Sequence, residues 1–164
     1  MLGNLRYQTR PPDEVIVLLS GLKPHEVATL REDFPDVTFH ERGDRQDWGH
    51  EKRAEGLELA TGDFIGFFND DDSYSIDYLE MMLAAVGEGY DVAYCAWNSI
   101  PDCEFRTHSS TSGNWIVRTS IARAAGYRSR HYAADGDFIE DVKSVGAMVA
   151  PKIEDILYFH NYQP

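Results

Sequence analysis

Cysteine is scarce in this chain, long apolar runs are missing, and positive charge is in the minority. The two cysteines, Cys95 and Cys103, are too few for a disulfide framework and are expected to be free thiols of a reducing compartment. No apolar run reaches the roughly 18 residues of a membrane span, and Met1 to Pro12 lacks the apolar segment of a signal peptide. Fifteen Lys and Arg stand against 28 Asp and Glu, a formal net charge of −13. Phosphate backbones and anionic lipid both need clustered cations, so no nucleic-acid partner is expected. A phosphate ligand bridged through a divalent metal stays open. What is present is a 43% hydrophobic share, which argues against disorder. A chain of 164 residues buries about two-thirds of its unfolded surface. There is no repeat, low-complexity tract or linker. The expectation is therefore one soluble, acidic, cytoplasmic domain over 1–164.

Along the chain, strands and helices alternate. Glu14 to Leu19 is a continuous apolar run of the kind buried on both faces, and Pro24 opens a helix to about Phe34. Val37 to His40 reads as a second strand, and His50 to Ala60 as a helix. Asp63 to Phe68 is another buried strand. Tyr78, Leu79, Met82, Leu83 and Val86 form one face of a helix capped by Ser73 or Ser75. Asp91 to Trp97 is a strand, as is Trp115 to Val117. Thr119 is expected to cap a helix from Ser120 to Ala125, with Gly126 as its left-handed stop. Asp137 to Val145 reads as a helix and Ile156 to Phe159 as a last strand. Trp97 and Trp115 belong to apolar strands and are expected in the core. Such alternation implies a largely parallel sheet, with ligands beyond the carboxyl ends of its strands.

Asn69-Asp70-Asp71-Asp72 stands at such an end. Neighbouring carboxylates raise one another's pKa and oppose the compact state. A hard divalent cation removes the conflict. Two readings are open: a metal that holds a diphosphate, or a solvated acidic turn before the next helix. A metal-dependent phosphohydrolase using Asp70 and Asp72 is a third, without a nucleophile motif. Asp135-Gly136-Asp137 is either a helix start or a source of a carboxylate general base. His160 follows an apolar strand and becomes a metal-ligand candidate if the fold returns it to Asp71. Trp48 is either packed under its loop or available to stack on a base or sugar.

Taken in order, these segments resemble family 2 glycosyltransferases. Gln8 to Val17 is similar to the family's entry to its second strand. Thr61-Gly62-Asp63-Phe64-Ile65-Gly66-Phe67-Phe68, with the aspartates and Tyr78-Leu79 after it, is similar to the run that carries the nucleotide-sugar metal site. Gly113 to Arg118, Ala124 to Tyr127 and Asp135 to Phe138 resemble the acceptor-side strand, glycine turn and base motif. The resemblance implies an α/β, GT-A-like (Rossmann-like) fold: a mixed, mostly parallel sheet flanked by helices, N-terminally shortened. It implies an inverting transfer from a nucleotide-diphosphate sugar, a UDP-sugar by preference, to a sugar or other hydroxyl acceptor, with Mn²⁺ or Mg²⁺. Asp71 matches the metal carboxylate, Asp72 supports it, and Asp70 matches a position near the ribose. Asp135 is the first choice for the base and Asp137 the second. Arg53 matches the arginine near the nucleotide, and His160 a late histidine at the metal or diphosphate.

Two departures carry expectations of their own. Asn69 stands where the first aspartate of the D-x-D motif is usual, although Asp70 and Asp72 form a D-x-D one residue later. The family's first, central strand has no counterpart, and Leu18-Leu19-Ser20-Gly21 replaces the usual D-D-G-S. The strands either side of that position must then pair directly, or another chain, as in a homo-oligomer, fills the gap. A degenerate GT-A domain that binds nucleotide or sugar without turnover, or serves in assembly, is the alternative reading.

Overall fold

A computed structural model describes residues 1–43, 49–87 and 89–160. The elements are α1 (Leu2–Arg6), β1 (Ile16–Leu19), α2 (Pro24–Asp33), β2 (Thr38–Glu41), α3 (His50–Leu59), β3 (Phe64–Gly66) and β4 (Ser73–Tyr74). After them come α4 (Tyr78–Val86), β5 (Val92–Trp97), a 3₁₀ turn (Ser112–Asn114), β6 (Trp115–Arg118), α5 (Thr119–Ala125), α6 (Ala134–Ser144) and β7 (Ile153–Phe159). Pro24 at the start of α2 suits a position whose N–H needs no partner. The Glu26 carboxylate accepts the Lys23 backbone N–H there at 2.7 Å, closing the helix start. Thr119 lies inside α5 rather than capping it: its hydroxyl donates to the Gly62 carbonyl at 2.6 Å and ties the helix to the approach of β3. Gly126 ends α5 with a φ of 73°, a backbone region that a Cβ disfavours.

The strands form two sheets. β1 and β2 make a parallel ribbon, and a five-stranded sheet runs β3-β6-β5-β7-β4. Among the described strands of the larger sheet only β5–β7 pair in parallel. The sheet is mixed, as expected, but parallel pairing is the minority, because β6 and β4 return antiparallel beside β5 and β7. Among the described residues, β1 and β3 do not pair. They begin side by side nonetheless: the Glu14 carboxylate accepts the Thr61 N–H at 2.8 Å and its hydroxyl at 3.1 Å. Burial of the first apolar run on both faces is corrected accordingly. Only Leu19 of β1 is buried, and Ile16 to Leu18 remain partly exposed, because among the described residues the strand has a neighbour on one edge alone. α3 supports the ribbon, with Leu18 against Gly56.

Side-chain alternation splits β5 and β6 between two cores. Ala93, Cys95 and Ile116 join α4, Tyr74, Leu157 and Tyr158 on one face. Val92, Trp115 and Val117 join Leu57, Ala122, Phe138 and Ile139 on the other. The sheet is thus covered by α4 on one face and by α5 and α6 on the other. Both tryptophans in these strands are buried, as expected. Cys95 and Cys103 are buried free thiols, and burial first, then the neighbouring Cys103, pushes Cys95 up to about 12. No described helix is long and apolar enough to cross a membrane.

Candidate active site

The turn after β3 divides the three aspartates. Asp70 and Asp71 are exposed, whereas Asp72 is turned inward, its side chain 0% exposed. Its burial is satisfied by hydrogen bonds, as an interior carboxylate requires. The Asn69 side-chain amide donates to Asp72 Oδ2 at 2.7 Å, and the Tyr158 hydroxyl donates to the same atom at 2.7 Å. His160 Nδ1 lies 3.1 Å from Asp72 Oδ1 and 3.0 Å from the Tyr158 oxygen. Tyr158 and His160 are two positions apart at the end of β7, which places both on one side of the chain. Burial, and then the Asp72 hydrogen bond, holds the Tyr158 phenol far above its ordinary range. It therefore remains a donor.

Asn69 also faces the other way. Its Oδ1 accepts from Arg53 Nη2 at 2.7 Å. Arg53 lies one turn after His50 on α3, and its Nη1 is 3.2 Å from His50 Nδ1. The same guanidinium is 3.9 Å from Asp135 Oδ1, and His50 Nδ1 is also 3.9 Å from it. Leu57, another turn along, anchors this face of α3 in the core.

Asp135 sits in the first turn of α6, where a carboxylate is favoured by the helix dipole. The Tyr127 hydroxyl donates to its Oδ1, and the Ser112 backbone N–H points at Oδ2 from 3.4 Å. Burial, and then the Asp135 charge, raises the Tyr127 phenol well above its ordinary range, so this group too stays a donor. Tyr127 is held by stacking on Phe138, centroids 4.9 Å apart, and Phe138 stacks on Trp115 at 5.4 Å. Each such pair contributes about 0.5–1.5 kcal/mol beyond its buried area. The loop before the 3₁₀ turn is fitted closely to α6. Thr107 donates to the Gly136 carbonyl at 3.1 Å, and a Cβ on Gly136 would lie 2.7 Å from Thr107 Cγ2.

A continuous polar chain results: His160, Asp72, Asn69, Arg53, Asp135, Tyr127. It joins four of the residues singled out in the sequence, Arg53, Asp72, Asp135 and His160, with Asp70 and Asp71 exposed beside it at the turn. Asp137 is not part of it. Asp137 is held by the Ser129 hydroxyl and, at 2.8 Å, by His131 Nε2, with its side chain 41% exposed. Trp48 lies outside the described residues. Tyr127, Tyr158 and His50 were not singled out as site residues. For Tyr158 the signal was its two-residue offset from His160 at a strand end. For Tyr127 it was its position directly after the glycine that stops α5.

Four arginines of the second half, Arg118, Arg123, Arg128 and Arg130, have separate surroundings. Arg118 pairs with Asp91 at 2.8 Å. Arg123 donates to the Leu57, Glu58 and Ala60 carbonyls at the end of α3. Arg128 and Arg130 border a cavity of about 620 Å³ that shares Tyr127 with the site.

Arg53 thus joins the acidic turn after β3, by way of Asn69, to the Asp135 carboxylate on α6. Solved structures with the same course of chain define the class as the GT-A glycosyltransferase fold. S. aureus TarS 1-349 in complex with UDP superposes with a TM-score of 0.76 at 17% identity, over 97% of this chain and 54% of that one. The mannosyltransferase PcManGT from Pyrobaculum calidifontis, in complex with GDP-Man and Mn²⁺, gives 0.74 at 16% identity, over 99% and 52%. The family profile of Glycosyl transferase family 2 matches residues 1–145, and the chain belongs to that family. The Bacillus subtilis (strain 168) protein EpsH, named as a glycosyltransferase, is 34% identical over 67 residues, which are 41% of this chain and 18% of EpsH. The chain thus spans about half the length of these solved relatives and less than a fifth of EpsH.

Proposed function

We propose that this domain is an inverting, metal-dependent glycosyltransferase that moves a sugar from a nucleotide-diphosphate donor, taken to be a UDP-sugar, to a hydroxyl acceptor. The observation that carries the reading is Arg53. One guanidinium binds Asn69 at the acidic turn at 2.7 Å and faces Asp135 at 3.9 Å. On this reading the leaving-group end and the base stand one side chain apart. The UDP and GDP-Man complexes of the solved relatives support a nucleotide-sugar donor.

Among the described residues no three His, Cys, Asp or Glu side chains form a metal cluster. The donor set fits a cation that shares its coordination with substrate: Mg²⁺ commonly takes one or two carboxylates and completes its shell with phosphate oxygens and water. Asp71 and His160 are the residues proposed to hold Mn²⁺ or Mg²⁺, with Asp70 toward the ribose. When bound, such an ion supplies Lewis-acid charge to the departing diphosphate. In a chain of net charge −13, an added cation at this turn also reduces repulsion of a diphosphate.

Asp135 is the proposed base. It takes the acceptor hydroxyl proton as the acceptor oxygen bonds to the sugar's anomeric carbon and the bond to the diphosphate breaks on the opposite face. Tyr127 and Ser112 fix the carboxylate, and the Arg53 guanidinium faces it at 3.9 Å. Asp137 fits the role less well, being tied to Ser129 and His131. Asp135→Asn should abolish transfer from a UDP-sugar while UDP binding persists. Transfer retained by this variant would remove Asp135 from the mechanism. A second reading, nucleotide binding without turnover, is favoured by the lack of pairing between β1 and β3 among the described residues. It predicts UDP binding with no donor consumption by the wild type.

A further inference from the structure

Resting on the reading of the Asn69–Asp72 turn as the diphosphate site, we infer that Asp72 is a positioning residue that aims His160 and Asn69, rather than a ligand of the metal. Three observations carry this. The first is burial: the Asp72 side chain is 0% exposed, while Asp70 and Asp71 beside it are exposed. An oxygen without exposure meets an incoming cation only after the turn is rebuilt.

The second is the donor and acceptor inventory. An ionised carboxylate offers lone pairs only, and a neutral imidazole carries a proton on one nitrogen and a lone pair on the other. His160 Nδ1 is 3.1 Å from Asp72 Oδ1. Two lone pairs at that separation repel, so Nδ1 carries the proton. The Tyr158 hydroxyl donates its proton to Asp72 Oδ2 and faces Nδ1 at 3.0 Å with its oxygen, which demands the same tautomer. The lone pair of His160 is then on Nε2. A carboxylate behind a ligating histidine sets tautomer and ring orientation in this way.

The third is Asn69. Its amide nitrogen donates to Asp72 at 2.7 Å and its oxygen accepts from Arg53 at 2.7 Å. Asp72 therefore fixes which way the amide points, and with it the anchor of Arg53. An aspartate at position 69 would have no donor for Asp72 and would set two carboxylates against each other.

The test begins with long-range ¹H–¹⁵N spectra of histidine-labelled wild type without metal, which need no variant to fold. His160 should show the Nδ1–H tautomer, and Asp72→Asn should lose that preference. An Nε2–H tautomer in the wild type overturns the inference. Calorimetric titration of UDP with Mn²⁺ then compares Asp72→Asn, His160→Ala and the double variant. Asp72→Asn should weaken metal-dependent binding about 10- to 100-fold, and by clearly less once His160 is alanine, because only the Asn69 arm is then left to lose. Losses that add in full in the double variant would make Asp72 an independent ligand and overturn it. Asn69→Asp should weaken binding as well, and binding equal to wild type counts against the hub. A wild type that binds no UDP with Mn²⁺ overturns the diphosphate reading and the metal half of the inference. The tautomer and its loss in Asp72→Asn then uphold or overturn the orienting role by themselves.

Discussion

Gly113→Ala is a one-methyl change that links the packing of the sheet to the chemistry of the turn. Gly113 lies in the 3₁₀ turn against the Tyr158 ring, and a Cβ there would stand 2.3, 2.5 and 2.9 Å from three of its ring carbons. Ordinary contact requires more than a further ångström. The ring has little room to give it, because Tyr158 is fully buried against Tyr74 and Trp97, at centroid distances of 5.4 and 5.9 Å. Overpacking of this kind costs about 1–3 kcal/mol. Displacing the ring also breaks the hydroxyl's bond to Asp72, and a hydrogen bond to a charged group contributes about 1.5–3 kcal/mol. The two costs overlap, since a shifted ring relieves the clash by losing the bond, so a total of about 2–4 kcal/mol is expected. Urea denaturation reads it as a lower midpoint at unchanged slope. The same variant should lose metal-dependent UDP affinity, because Tyr158 supports Asp72. Stability within about 0.5 kcal/mol of wild type together with unchanged UDP affinity would refute the reasoning.

Other outcomes follow from the same contacts. Asp91 accepts the Met148 backbone N–H at 3.0 Å and the Arg118 guanidinium at 2.8 Å, and these bonds, the backbone one first, hold its carboxyl below the usual range. A depressed native pKa contributes stability above the unfolded value and loses it as pH falls through the native one. Asp91→Asn should therefore cost about 1–2 kcal/mol at pH 7, with the gap to wild type closing below about pH 4. A gap constant down to pH 2 contradicts this. Two-stranded sheets are marginal by themselves, so amides of β1 and β2 should exchange faster than those of β5 and β6. Equal protection across both sheets would show that the ribbon is held more firmly than its open edge implies.

Most helices were legible because their apolar residues recur at helical spacing and their ends carry proline, glycine or short polar residues; the short α1 was not. The apolar face Tyr78 to Val86 is α4 in the structure, but its N-cap is Asp77 rather than Ser73 or Ser75. β4 was not legible: Ser73–Tyr74 is two residues long and exists as a strand only through β7, more than 80 residues away. Periodicity is blind to a partner that distant. β1 shows the converse. Its residues were those of a strand buried on both faces, yet burial depends on neighbours, and the neighbour on one edge is not among the described strands. In the acidic turn the three aspartates are equal in sequence and unequal in structure. Tyr158, Asn69 and His160 draw Asp72 inward and leave Asp70 and Asp71 outside. Spacing alone likewise hid the different surroundings of Asp135 and Asp137: Tyr127 and Ser112 reach one carboxylate, Ser129 and His131 the other.

The claim that the Asn69–Asp72 turn receives a nucleotide diphosphate through a metal is tested most directly by calorimetric titration with UDP. Wild type and Asp71→Ala would be compared, each with and without Mn²⁺. The account predicts binding by wild type that requires Mn²⁺ and is lost in Asp71→Ala. Metal-independent binding, or binding that survives in Asp71→Ala, would contradict it.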